Sequence, residues 1–294
     1  MLLAHITDIH VAREEDYRSP GESAWISRVR KHSMEILRRL LLDMASYRPD
    51  HVVLTGDLTQ SSKREEFREG ARLLRECLGA LPLTVLPGNH DRWRAEAVEE
   101  GWFEESYGAW LRSDLPGEGY PICHLLDGVA IVALDSSPFD PNLPPAEVCG
   151  TVSEEQLGRL RAWSRLPEFR ERFRVVALHH HLRLSEEDAR AEDPKDTTPL
   201  LNAARVEEVL GEASVDLVLH GHRHRQMRLD LELGGKVVPV LCPGSGSRSD
   251  PRIERTAKYG LYRIEDGRLA EVRFRVWNPF AEIVEDYDPN RIVV

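Results

Sequence analysis

Val52-Val53-Leu54-Thr55-Gly56-Asp57 is a short apolar run closed by a glycine and a carboxylate. A β-branched run of this length, stopped by a turn residue, reads as a buried strand. On either side the apolar spacing changes to that of a helix, with Met34, Leu37, Leu41 and Met44 before it and Phe67, Ala71, Leu74 and Leu78 after it. A strand between two amphipathic helices is the repeating unit of an α/β fold. The same punctuation recurs along the chain. Leu2 to Thr7 runs into Asp8-Ile9-His10, Leu83 to Leu86 into Pro87-Gly88-Asn89-His90-Asp91, and Val129 to Leu134 into Asp135. Val175 to Leu178 runs into His179, and Val215 to Leu219 into Gly221-His222-Arg223-His224. The polar patches therefore stand at strand ends, where an α/β fold gathers a site.

Further helices are expected from Ser153, whose hydroxyl and Gln156 form a capping-box pattern, and over Asn202 to Ala213. After His224 the pattern is β-only: Met227 to Leu233, a Gly234-Gly235 turn, Val237 to Cys242, Gly260 to Ile264, an Asp266-Gly267 turn, and Leu269 to Trp277. We expect a single domain over 1–294, with a motif-bearing α/β part (1–230) and a β-rich part (231–294) that belongs to the second sheet of a sandwich. Segments 13–27, 138–150 and 182–199 follow strand ends and are candidate walls over the site.

With 294 residues, 41% hydrophobic, the chain can bury a large core. Its formal net charge of -11 disfavours nucleic acid and anionic membranes, and no Lys/Arg block forms a basic patch. Cys77, Cys123, Cys149 and Cys242 stand singly and read as small core residues rather than a disulfide framework. Neither a signal-like start nor an apolar run of membrane-spanning length is seen, so a cytoplasmic location is the expectation.

The patches carry hard-to-borderline oxygen and nitrogen donors, a set that suits divalent metals. In an Asp-x-His triplet the alternate side chains Asp8 and His10 point the same way. Asp57 has two oxygens and is the candidate for a shared ligand, with Gly56 allowing close backbone approach. Asn89 can offer its carbonyl oxygen while His90 stays free for proton chemistry; the plain alternative is a polar turn with Asp91 capping a helix. Strand alternation places His179 and His181 on one side and His180 on the other, and it puts His222 and His224 on one face. His5 reads as a hydrogen-bonded core residue, His220 as a neighbour of the ligands, and His32, His51 and His124 as residues of surface segments. Asp135 reads as structural.

In this order, D-x-H, G-D, G-N-H-D, H and G-H-x-H, the chain resembles the calcineurin-like metallophosphoesterases over about residues 1 to 230, nearest their cyclic-nucleotide and glycerophosphodiester phosphodiesterase branch. The resemblance implies a four-layer α/β/β/α sandwich with two mixed β-sheets and a dinuclear metal centre. It places Asp8, His10, Asp57 and His224 on one metal, and Asp57, Asn89, His179 and His222 on the other. Where that branch often has His-His-Pro-Pro, this chain has His179-His180-His181-Leu182, so the loop after the ligand is expected to differ in shape.

The expected activity is phosphoester hydrolysis by a hydroxide held between two divalent or mixed-valence metals, manganese, iron or zinc. A small phosphodiester such as a cyclic nucleotide or glycerophosphodiester is the leading substrate. Alternatives are a monoester, a nucleotide-sugar pyrophosphate or a nucleic-acid end, and a metal-free scaffold is the least favoured reading. His90 is expected to act as general acid or to stabilise the transition state, with Asp91 orienting its imidazole. Arg13, Arg18 and Arg28, and the aromatic side chains Tyr17, Trp25 and Phe139, are candidate substrate contacts. The terminal strands are compatible with a homodimer.

Overall fold

The computed structural model describes residues 1–12, 31–139, 149–184 and 199–287. Its strands are β1 (Leu2–Ile6), β2 (His51–Thr55), β3 (Leu83–Leu86), β4 (Ile122–Leu126), β5 (Val129–Ala133) and β6 (Phe173–Ala177), then β7 (Leu217–Leu219), β8 (Gln226–Leu233), β9 (Lys236–Pro243), β10 (Lys258–Glu265), β11 (Arg268–Asn278) and β12 (Ile283–Asp286). They form two six-stranded sheets, ordered β12-β11-β10-β1-β2-β3 and β4-β5-β6-β7-β9-β8. Both are mixed. In the first, β1, β2 and β3 are parallel and β10 to β12 antiparallel; in the second, β5, β6, β7 and β9 are parallel, with antiparallel β4 and β8 at the edges.

Side-chain alternation builds three apolar interfaces from these sheets. Leu3, Val53 and Leu86 of the first sheet meet Ile131, Val175, Ala177 and Leu219 of the second. On the far side of the first sheet, Ala4, Ile6, Val52 and Leu54 pack against Leu37, Leu41 and Met44 of α1 (Met34–Ser46) and Phe67 and Leu74 of α2 (Arg64–Leu78). Two short helices follow, α3 (Ala95–Glu99) and α4 (Trp102–Tyr107), and Phe103 and Tyr107 of α4 extend that core. Behind the second sheet, Val132, Val176 and Val218 pack on Leu157 and Leu160 of α5 (Glu154–Trp163), Phe169 of α6 (Pro167–Arg170) and Val206 and Leu210 of α7 (Ala203–Glu212). This is the four-layer α/β/β/α arrangement. Because both sheets are covered on both faces, their central strands read as continuous apolar runs.

Serine hydroxyls cap two helix starts, the second of them at the position that the sequence marks. Ser33 accepts a bond from the Ile36 N–H at the start of α1, and Ser153 accepts one from the Gln156 N–H. The box at Ser153 is only half made, because the Gln156 amide instead bridges the backbone N–H and carbonyl of Asp135 at 2.9 Å each. That helix start is thereby tied to the loop leaving β5.

The assignment of 231–294 to the second sheet needs correction. Only β8 and β9 join that sheet, whereas β10 to β12 extend the first sheet from the free edge of β1. The chain crosses through Gly244-Ser245-Gly246, where the Gly246 N–H donates to the Thr7 carbonyl at 2.7 Å and a Cβ on Gly246 would meet Ile6. A side chain there would hold the crossing segment away from β1. No helix among the described residues is long and apolar enough to cross a membrane.

Candidate metal centre

Parallel strands bring their carboxyl ends to one rim, and the loops there continue to pair after the strands stop. The Asp8 N–H donates to the Gly56 carbonyl, His10 to Asp57 and Val11 to Leu58, at 2.9 to 3.0 Å. The backbone then turns sharply. Asp8, His10, Asp57, His222 and His224 all have left-handed φ, from 41° to 76°, and make up half of the ten non-glycine residues described with positive φ. Each such residue costs about 1–3 kcal/mol and persists only where its surroundings over-determine it.

Glycines make the close approach feasible. A Cβ on Gly88 would overlap the Asp57 carboxylate, and one on Gly221 would overlap Thr7 Oγ1. One on Gly56, itself at φ 89°, would stand 2.6 Å from His179 Nδ1.

Two groups of donors result. In the first, His224 Nε2 lies 3.1 Å from Asp8 Oδ1 and 2.9 Å from His10 Nε2, and His10 Nε2 is 3.6 Å from Asp57 Oδ2. These four ligand atoms fall within 4.8 Å of one another. In the second, His179 Nε2 is 3.0 Å from Asn89 Oδ1, 3.3 Å from His222 Nδ1 and 3.4 Å from Asp57 Oδ1. His222 Nδ1 is also 3.1 Å from Asn89 Oδ1. Adjacent donors on one cation at bond lengths of about 2.1 Å are separated by about 3.0–3.4 Å, and the first group, with its four donor atoms within 4.8 Å of one another, is compatible with a divalent ion. Oxygen and imidazole nitrogen in this proportion suit manganese, iron or zinc alike.

The surroundings prepare the donors. His179 Nδ1–H donates to the Thr55 carbonyl at 2.7 Å, which leaves the Nε2 lone pair for a metal. The His222 N–H donates to both oxygens of Asp8 at 3.0 and 3.1 Å. Burial opposes charge on His179, yet Asp57 beside it outweighs that and pushes its pKa up to about 9. Burial likewise opposes ionisation of Asp57, but His179 and His90 hold its carboxyl well below the usual range. Burial, reinforced by His179, pushes His222 down to about 3.

Several side chains lie elsewhere than the sequence reading placed them. Asp91 does not touch the His90 ring: its carboxylate accepts from the N–H groups of Leu58, Thr59 and Gly88 at 2.8 to 3.0 Å, tying two ligand loops together. His90 is oriented instead by Gln60, whose carbonyl accepts from His90 Nδ1–H at 2.7 Å. The alternation expected of His179, His180 and His181 fails because β6 ends at Ala177. All three are buried and all three rings pack on His222, with centroids 5.1, 4.6 and 5.8 Å away.

His32 and His51 are buried rather than superficial. His32 lies with its ring centroid 4.4 Å from that of His10 and its Nδ1 2.8 Å from Ser247 Oγ. Nothing local in the sequence signals that placement, since Ser247 arrives on the crossing segment. His5 is a core residue bonded to Tyr262 and Thr55, and His220 adjoins the centre beside Gly221. Asp135 pairs with Arg92 at 3.4 Å. Arg13, Arg18, Arg28, Tyr17 and Trp25 lie outside the described residues, whereas Phe139 is half-buried.

A two-sheet sandwich that collects carboxylate, amide and imidazole donors at strand ends from both sheets is the architecture of a metallophosphoesterase, a hydrolase class. The sequence model of the Calcineurin-like phosphoesterase family matches residues 1–226, and the chain belongs to that family. It is 29% identical over 186 residues to an Arcobacter nitrofigilis protein named "Probable glycerophosphodiester phosphodiesterase GpdQ", covering 61% of this chain and 57% of that one. It is 28% identical over 230 residues to a Rhodococcus erythropolis protein named "Probable cyclic nucleotide phosphodiesterase", covering 76% and 64%. The chain thus spans less than two thirds of the length of these relatives. Among solved structures, a dimetal phosphatase from Danio rerio shares the fold at TM-score 0.57 and 17% identity, over 94% of each chain.

Proposed function

We propose that the chain holds two divalent cations bridged by Asp57 and hydrolyses a small phosphodiester. The observation that carries this reading is the division of Asp57: Oδ2 lies toward His10 in the first donor group and Oδ1 toward His179 in the second. The names of the relatives, glycerophosphodiester and cyclic nucleotide phosphodiesterases, support a diester. Cations bound there would supply water activation at neutral pH and neutralise charge developing at phosphorus. Against the carboxylates of Asp8 and Asp57 they leave a local charge of about +2, which attracts a phosphoester to a chain of net charge -11.

The protein's own part begins with His90. Its backbone N–H donates to Asp57 Oδ1 at 2.9 Å, so its position is coupled to the bridging carboxylate. Its ring stands edge-on to His10 and Trp93, with centroids 4.7 Å from each. With Nδ1–H engaged by Gln60, Nε2 is the free nitrogen, and it can give a proton to the leaving oxygen only when the ring is the doubly protonated imidazolium. Asp91 acts one step away, holding the Gly88 turn against Leu58 and Thr59.

The test is metal analysis of the purified protein after manganese or zinc loading, with rates on bis(4-nitrophenyl) phosphate and 4-nitrophenyl phosphate. Two bound equivalents and faster diester hydrolysis are expected. One equivalent, or no metal-dependent diester hydrolysis, overturns the reading.

A further inference from the structure

The residue after the last donor, Arg225, lines a cavity of about 310 Å³ together with Gln226, Glu254, Arg255 and Tyr287. Three separate parts of the chain meet here: the start of β8, the turn between β9 and β10, and the residue following β12. The sequence contains no basic block, yet topology assembles a basic rim at this point. The nearby Asp250 is taken up by Arg248 at 3.3 Å and Arg252 at 3.0 Å. Neither Arg225 nor Arg255 has an ion-pair partner among the described residues. Glu254, on the same wall, offsets one of these two charges, so the cavity keeps an excess of positive charge. Gln226 contributes a buried Oε1 without a hydrogen-bond partner, an acceptor that suits a hydroxyl group.

The cavity adjoins the metal centre along the chain. Arg225 is covalently adjacent to His224 of the first donor group, and the backbone of Arg225 and Gln226 lies against Gly244 on the crossing segment. Lys258, at the opening of β10, lies against the Tyr287 ring, its Nζ 4.8 Å from the ring centroid. Paired guanidinium groups bind a carboxylate or phosphate through charge-assisted hydrogen bonds.

We propose that this cavity is a specificity subsite for an anionic group, a carboxylate or a further phosphate, carried on one arm of the phosphoester. The inference rests on the reading of the neighbouring centre as a phosphoester site.

The experiment is calorimetric titration of the metal-loaded protein with alkyl phosphates of increasing length that end in methyl, carboxylate or phosphate. At the length that spans centre and cavity, an anionic end is expected to bind about tenfold or more tightly than methyl. In the Arg225→Gln, Arg255→Gln double variant that difference should shrink to about twofold or less while binding of the methyl-ended probe stays unchanged. The carboxylate and phosphate series tell the two anions apart. Equal binding of charged and neutral ends at every length, or a preference that survives in the double variant, overturns the proposal. So does tight binding seen only with a single-stranded oligonucleotide, which would make the rim a nucleic-acid contact. Failure of the phosphoester reading shows separately, as absence of metal-dependent hydrolysis of bis(4-nitrophenyl) phosphate, whose arms carry no anion.

Discussion

His179, from the second sheet, donates its Nδ1–H to the carbonyl of Thr55, the last residue of β2 in the first sheet, at 2.7 Å. One imidazole thus fastens the two sheets at their rim and presents Nε2 to Asn89 and Asp57 on its other side. Structure and site share this residue.

Replacing it separates the two roles. His179→Ala should lower bound metal from two equivalents to about one and reduce diester turnover by a factor of about 100 or more. Elemental analysis beside initial rates checks this, and full retention of both metals would exclude His179 as a ligand.

Gly56→Ala is expected to be more damaging than its size implies. The position has φ 89°, and the new Cβ would stand 2.6 Å from His179 Nδ1 and 2.7 Å from the Gly88 nitrogen. Backbone strain and overpacking together should cost about 2–5 kcal/mol, read as a shifted denaturant midpoint with an unchanged slope.

His90→Ala should keep both metals and lose about 100- to 10,000-fold in kcat, the range of one positioned proton-transfer group. Asp91→Asn should act differently. It weakens three backbone bonds between ligand loops, so thermal stability should fall along with activity. Melting curves of the two variants distinguish chemistry from scaffolding.

Lys258, which is not one of the donors, has a titration of its own. Burial lowers its pKa from 10.5 to about 7, although Glu254 pulls the other way. Between about 7 and 10.5 the unfolded chain holds a proton on this side chain that the folded chain has released. Stability therefore rises with pH across that window, and below it the full cost of a buried charge is present. Lys258→Met should flatten this part of the stability–pH profile, measured by urea unfolding at fixed temperature.

Much of the centre is legible in the sequence because each donor follows a strand buried on both faces, and such strands announce themselves as apolar runs. What alternation cannot say is which sheet a strand enters. Tyr262 and Ile264 turn toward the space between the sheets and Leu261 toward α1, a pattern that either sheet satisfies. Short edge strands are less legible: His124 interrupts the apolar run of β4, although Asp127-Gly128 between Leu126 and Val129 is a two-residue hairpin signal. The roles of Asp91, His32 and His180 were hidden for a different reason. Their partners, Leu58 and Thr59, Ser247, and Ser136, lie from 32 to 215 positions away.

The left-handed backbone at Asp8, His10, Asp57, His222 and His224 also sets the direction in which this protein can most easily change. A glycine at half-exposed His224 would relax a φ of 52° while removing a donor. The metal-free chain is thereby rewarded for abandoning its own centre. Stability and donor geometry therefore pull in opposite directions at these five positions.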